Sequence, residues 1–209
     1  MSNQINLKEA ERKAFRTSFD DGLWDILLGC FFLMFAIAPL LSVYLGDFWS
    51  SAVFLPFWAL AYLAIRLVRV HVVTPRAGLV KFGPARQTRL VKFTIIMLVI
   101  NLLAVLLGLL ALVTFARIPG QAYLIIVGII LLVGFSLSAY LLDFTRLYLY
   151  GLLVFLAPLT GEWLFAHGYA AHHGLPVSFG LVSGVMILTG LVVFIRFLHK
   201  NPLPAEQVA

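Results

Sequence analysis

The chain has 209 residues, of which 62% are hydrophobic and 11% charged, with a formal net charge of +6 and a mean hydropathy of +1.03. Soluble domains run near 45–50% apolar and about 25% charged, so a water-soluble enzyme and a nucleic-acid-binding domain are both excluded. A hydrocarbon layer roughly 30 Å thick takes about 20 apolar residues per helix, and the sequence offers about six such runs on short connections. It reads as an all-α membrane protein, a bundle of about six transmembrane helices.

Residues 1–19 form a polar cytoplasmic segment in which Lys8, Glu9, Glu11, Arg12, Lys13 and Arg16 have spacings that suit a short helix along the membrane surface. Ser18 or Asp20 is placed to cap the first transmembrane helix, expected over 22–45 and ended by Gly46. Ala36-Ile37-Ala38 imitates a signal-peptide cleavage site, but Pro39 follows at once and the long leader carries acids among its bases, so this helix is retained. Cys30 lies inside it, and as the single cysteine it allows neither an internal disulfide nor a cysteine-based metal motif. Further helices are expected over 50–71, 90–115, 121–142, 146–166 and 176–198, with Pro176 suited to a first turn and kinks at Pro39 and Pro158. Residues 20–199 thus make one six-helix transmembrane domain, and 200–209 a cytoplasmic tail.

The connection over 71–92 is basic and contains no acid. Residues 70–74 and 79–82 have the β-branched content for a short β-hairpin about 75–78 in this cytoplasmic loop between helices two and three. Arg76, Lys81, Arg86 and Arg89 there suit anionic lipid headgroups, each base near an anionic leaflet being worth about 1 kcal/mol; the plainer reading is that they only fix topology. Within this loop the stretch Thr74-Pro75-Arg76-Ala77-Gly78-Leu79-Val80-Lys81-Phe82-Gly83-Pro84, together with Phe19-Asp20-Asp21-Gly22-Leu23-Trp24-Asp25-Ile26-Leu27-Leu28-Gly29, resembles a group of small prokaryotic multi-pass membrane proteins. The resemblance implies no activity, cofactor or catalytic residue.

Asp20, Asp21 and Asp25 crowd the start of the first helix, and Asp143, Arg66, Arg69, Arg146 and Arg196 are expected at a similar depth. Ionisable groups inside a bilayer cost at least about 2.5 kcal/mol on insertion scales and so face the bundle interior, water or a partner. Asp25, a turn inside the apolar run, is expected to meet a base among Arg66, Arg69, Arg146 and Arg196, as a gate or ion path or as a structural salt-bridge cluster. On the other side Glu162, His167, His172 and His173 hold the donor types for a divalent metal, against a plain solvated loop. Their His-x4-His-His pattern resembles one box of membrane di-iron hydroxylases, but those need several boxes and this chain has 5 histidines. Gly180 and Gly184 form a small-x-x-x-small pair, with Gly190 beyond.

No hydrolase elbow, zinc-protease motif or phosphate-binding loop is present. The leading expectation is a non-enzymatic integral membrane protein without a cofactor, a small transporter or an accessory subunit of a membrane complex. Its partners are the bilayer with its anionic headgroups and a second copy or another membrane protein. The alternatives are a membrane-embedded enzyme acting on a lipid-linked substrate, through Glu162 and its histidines or through Asp25 and Asp143, and a sensory protein that binds anionic lipid. Fourteen of the 15 Lys and Arg residues fall on one side of a six-helix topology and Arg117 alone on the other, which places both termini in the cytoplasm of the plasma (inner) membrane. Reporters fused after Phe48, Gly120 and Gly174 are expected to read outside, and those after Gly83, Phe144 and Ala209 inside. An inside signal at Gly174 with an outside C-terminus would overturn this topology.

Overall fold

The computed structural model describes residues 21–77, 88, 90–100, 102–103, 106 and 120–202, and among these the chain is helical with no strand. Five helices are long and apolar enough to cross a membrane: Leu23–Gly46, Phe48–Arg76, Leu124–Leu142, Arg146–Ala166 and His172–Lys200. Their elements are α1 (Leu23–Ala52), α2 (Phe54–Val68), a π-helical turn (Arg69–Val73), α3 (Thr74–Ala77), α5 (Gly120–Leu142), α6 (Arg146–Ala166), a 3-10 turn (His172–Gly174) and α7 (Leu175–Lys200). The shorter apolar helix Leu90–Ile100 is α4. It opens the third expected run, most of whose remainder lies outside the described residues, as do Ser18, Asp20 and the polar segment before them. Within α1 the backbone leaves helical values at Gly46 (φ 75°, ψ 165°), the expected stop, while Pro39 and Pro158 sit inside continuous helices.

One expectation needs correction. Residues 70–74 are helical, not an arm of a β-hairpin; residues 79–82 lie outside the described residues. Strand propensity measures fit to a half-buried pleated surface, and no partner strand is present here among the described residues. The valines instead continue a helix that satisfies its own backbone. Thr74 Oγ1 donates to the Arg69 carbonyl at 2.9 Å and Arg76 Nη1 to that of Val72 at 3.1 Å, and Val73 is buried with Leu23 and Phe197.

The chain divides into two compact units, Met1–Gly83 with Ser183–Ala209, and Pro84–Val182. In the first, α1 and the C-terminal part of α7 run antiparallel at backbone contact. A Cβ on Gly29 would lie 3.0 Å from the Ser183 carbonyl oxygen and 3.1 Å from the Ile187 nitrogen. Seven residues earlier, a Cβ on Gly22 would collide with the Gly190 carbonyl oxygen. Lipid tails are as apolar as leucine, so helices in a bilayer associate by close packing, which small residues permit. At the Gly22 end Leu23, Val73 and Phe197 form a buried cluster flanked by Ile26, Ile65, Val68, Phe194 and Leu198, which draws three helix ends together. In the second unit α5 and α6 make a hairpin in which Gly128 faces the Phe155 ring and Gly151 the Phe135 Cβ. There α4 meets α5 where Ile100 approaches Gly134 and where Ser138 Oγ lies 3.8 Å from Met97 Sδ.

Of the small residues noted in α7, Gly184 faces open space and Gly190 touches α1. A Cβ on Gly190 would lie 2.7 Å from the Gly22 oxygen and 2.8 Å from the Ile26 nitrogen, both backbone atoms that cannot swing aside. Gly190→Val is therefore expected to lower thermal stability in detergent by about 1–3 kcal/mol or more, the scale of overpacking, and Gly184→Val to leave it unchanged. Equal effects of the two would discount the seam.

Candidate functional site

The polar centre of the first unit is built on Asp21. Gly22 adopts a left-handed conformation (φ 75°, ψ −8°) that glycine takes without penalty, and the turn it makes sets Asp21 ahead of the helix. Asp21 Oδ1 accepts the Leu23 backbone N–H at 3.0 Å, and Oδ2 accepts Arg69 Nη2 at 2.7 Å. The Asp21 side chain is 2% exposed and that of Arg69 35%, so the carboxylate is inside and the guanidinium reaches in from the edge. The Arg69 guanidinium carbon also lies 5.4 Å from the centre of the Trp24 ring, a cation–π distance. Asp25, in the first turn of α1, is wholly buried. Acidic groups at this position suit the positive end of the helix dipole. Arg69 opens the π-helical turn, a distortion found often at functional sites.

The expected sites are placed as follows. Asp25 is buried, but Arg69, one of its four candidate partners, is engaged with Asp21. Arg66 and Arg196 are exposed. Asp143 and Arg146 belong to the second unit, at the α5–α6 turn. There Asp143 takes a left-handed φ of 53°, and the Phe144 N–H reaches the Ala139 carbonyl at 3.0 Å, the bond that closes a helix C-terminus. Aspartate tolerates that conformation better than most residues, so Asp143 has a helix-ending role that spacing did not reveal. The Arg146 guanidinium carbon lies 4.9 Å from the Phe144 ring centre. Of the four bases assigned to headgroups, Arg76 bonds back to its own helix, and Lys81, Arg86 and Arg89 lie outside the described residues.

The four residues considered for a metal are not gathered into one centre: among the described residues no group of three or more His, Cys, Asp or Glu side chains is placed to hold an ion. Glu162 Oε2 and His173 Nδ1 are 3.0 Å apart. His167 turns away, its Nδ1–H donating to the Trp163 carbonyl at 2.8 Å and its ring lying 4.5 Å from the Trp163 indole. His172 lies in the 3-10 turn. An open groove of about 580 Å³ beside the Gly46 turn is lined by Met34, Phe48, Ser51, Ala52, Leu55 and Trp58, with no acid or base among them. The chain matches no family model, no curated protein and no solved structure.

The arrangement around Asp21 is that of a clamp: one carboxylate joins the start of α1 to the end of the Phe48–Arg76 span. Asp21→Ala and Arg69→Met are each expected to lower stability in detergent by roughly 1–3 kcal/mol, less than the ~3–5 kcal/mol of a fully buried pair because Arg69 keeps contact with its surroundings. The double variant should lose clearly less than the two losses added. Strict additivity would show that the two side chains do not act together.

Proposed function

We propose that the protein is a non-enzymatic integral membrane protein of the plasma (inner) membrane, an accessory subunit that packs through its helices against a membrane partner. The observation that carries this is the state of the Phe48–Arg76 span. Only 6% of its apolar stretch is covered, against 28% for Arg146–Ala166, although the Asp21–Arg69 pair and the burial of Val73 fix its end in place. Leu60, Leu63, Leu67 and Val70, at helical spacing on one side, are all more than half exposed. A helix held firmly and left bare along one face is ready for another helix, either of a second copy or of a different membrane protein.

Six crossings with both termini cytoplasmic are supported by parity. Leu23 at the start of the first span and Phe197 at the end of the last pack in one cluster with Val73, which favours an even number of crossings. Five long spans are found among the described residues, and the shorter apolar helix α4 supports counting a sixth. A small transporter is the second reading, favoured by two buried carboxylates, Asp21 and Asp25, beside a π-helical turn.

Photo-crosslinking residues placed at Leu60, Leu63 and Leu67 in native membranes are expected to give a discrete protein adduct, whose composition names the partner. Adducts with lipid alone at all three positions would count against a subunit role.

A further inference from the structure

The bare face of the Phe48–Arg76 span has a spacing that says what kind of helix fits it. Leu60, Leu63, Leu67 and Val70 follow one another at intervals of three, four and three residues, the a and d pattern of a heptad. All four are exposed, whereas Ile65 and Val68 turn the other side of the helix to the cluster of Leu23, Val73 and Phe197. No glycine lies within α2, so a neighbour is kept at full side-chain distance. A repeat of 3.5 residues favours a shallow left-handed crossing of about 20°. Arg66 stands on the flank of this stripe, three residues after Leu63 and four before Val70, which makes it a surface neighbour of both. It is exposed. Among the described residues its guanidinium has neither a hydrogen-bond nor an ion-pair partner, in contrast to Arg69 a turn further on, which Asp21 holds. An arginine beside hydrocarbon is costly until its charge is met.

We propose that this face receives a helix of a different membrane protein, one whose apolar residues repeat at the same spacing and which carries a carboxylate opposite Arg66. This rests on the reading of the protein as an accessory subunit and names the partner's chemistry. A second copy is the poorer fit. Copies inserted by the same route share one orientation, so two such faces meet in parallel about a two-fold axis, and the g positions of each helix then face the e positions of the other. With Leu60 and Leu67 at a, Arg66 is a g residue and His71 the e residue it would meet. His71 offers no carboxylate, and its Nδ1 lies 3.0 Å from the Leu67 carbonyl oxygen. A symmetric pair would bring two arginines to one seam with no acid on either side. An acid on a docked helix instead meets the charge and seals the seam at once, which a lipid phosphate at the membrane surface does not.

The probe is a designed single-span helix with a leucine seam at that spacing, co-expressed with the full chain in a bacterial inner membrane. Basic residues on its cytoplasmic flank orient it, and it carries Glu, Gln or Lys at the position level with Arg66. Energy transfer between fluorophores on the two chains, titrated against probe level, reports association. The Glu helix should bind the native chain about fivefold more tightly than the Gln helix, the scale of one interhelical polar contact in a membrane, and the Lys helix should bind most weakly. Arg66→Lys should keep that preference, Arg66→Gln remove it, and Arg66→Glu reverse it in favour of the Lys helix. Should Arg66→Glu fail to insert, Arg66→Gln decides. Leu63→Ala combined with Leu67→Ala should weaken all three probes alike. Probes held equally by the native chain, yet weakened by that double variant, overturn the proposal and leave the docking face, with Arg66 met by lipid or water. Probes indifferent to every change remove the docking face as well. Energy transfer between two labelled copies of the native chain, lost in the double variant, assigns the face to a second copy and likewise overturns the proposal.

Discussion

A carboxylate at the mouth of an apolar helix is tolerated only where its oxygens are occupied, and the first unit is organised around meeting that demand at Asp21. One oxygen takes a backbone N–H that the first turn of α1 would otherwise leave open, and the other takes Arg69. Leaving either unmade in a water-poor setting costs the desolvation of the group. The demand therefore dictates geometry: Arg69 must arrive at the level of Leu23. That fixes how far the Phe48–Arg76 span runs and brings Val73 into the cluster with Leu23 and Phe197.

Glycine makes that geometry possible. Gly22 supplies the left-handed turn that aims Asp21, and the same missing Cβ lets the Gly190 backbone come up against it. One residue thus serves the clamp and the seam, and the antiparallel contact continues seven residues on at Gly29, against Ser183 and Ile187. Hydrophobicity cannot choose between helix faces in lipid, since nearly every face is apolar. The choice falls to the few places where backbones can touch and to the few polar groups that must meet.

Spans were legible in the sequence because length and apolarity alone define them: the run expected over 146–166 is helical over Arg146–Ala166, and the stop at Gly46 is where the backbone breaks. The pairing within them was not. Depth in the apolar run singled out Asp25, and left the Arg69 pair of Asp21, four residues earlier, undistinguished. An aspartate directly before Gly-Leu at the head of an apolar helix is a local capping signal, and read that way it would have drawn attention to Asp21. Gly190 could not be told from Gly180 and Gly184 by spacing, because the partner that selects it lies far away in the chain. The valines of 70–74 misled for a related reason: β-branched residues fit a strand only where another strand is offered, and here a helix continues instead.

The charge asymmetry and the clamp are two uses of one set of side chains. Bases held on one side of a bilayer orient a chain whatever they touch, so each is also available to the fold. Arg69 locks two spans, Arg76 bonds back to the Val72 carbonyl, and Arg146 stands over Phe144 at the turn that Asp143 makes. Bases committed in this way are poorly placed to reach a headgroup as well. Among the described residues of the first unit Arg66 on α2 and Arg196 and Lys200 on α7 are exposed. A guanidinium already spent on a carbonyl, as Arg76 is, must first give up that bond before it can take another partner.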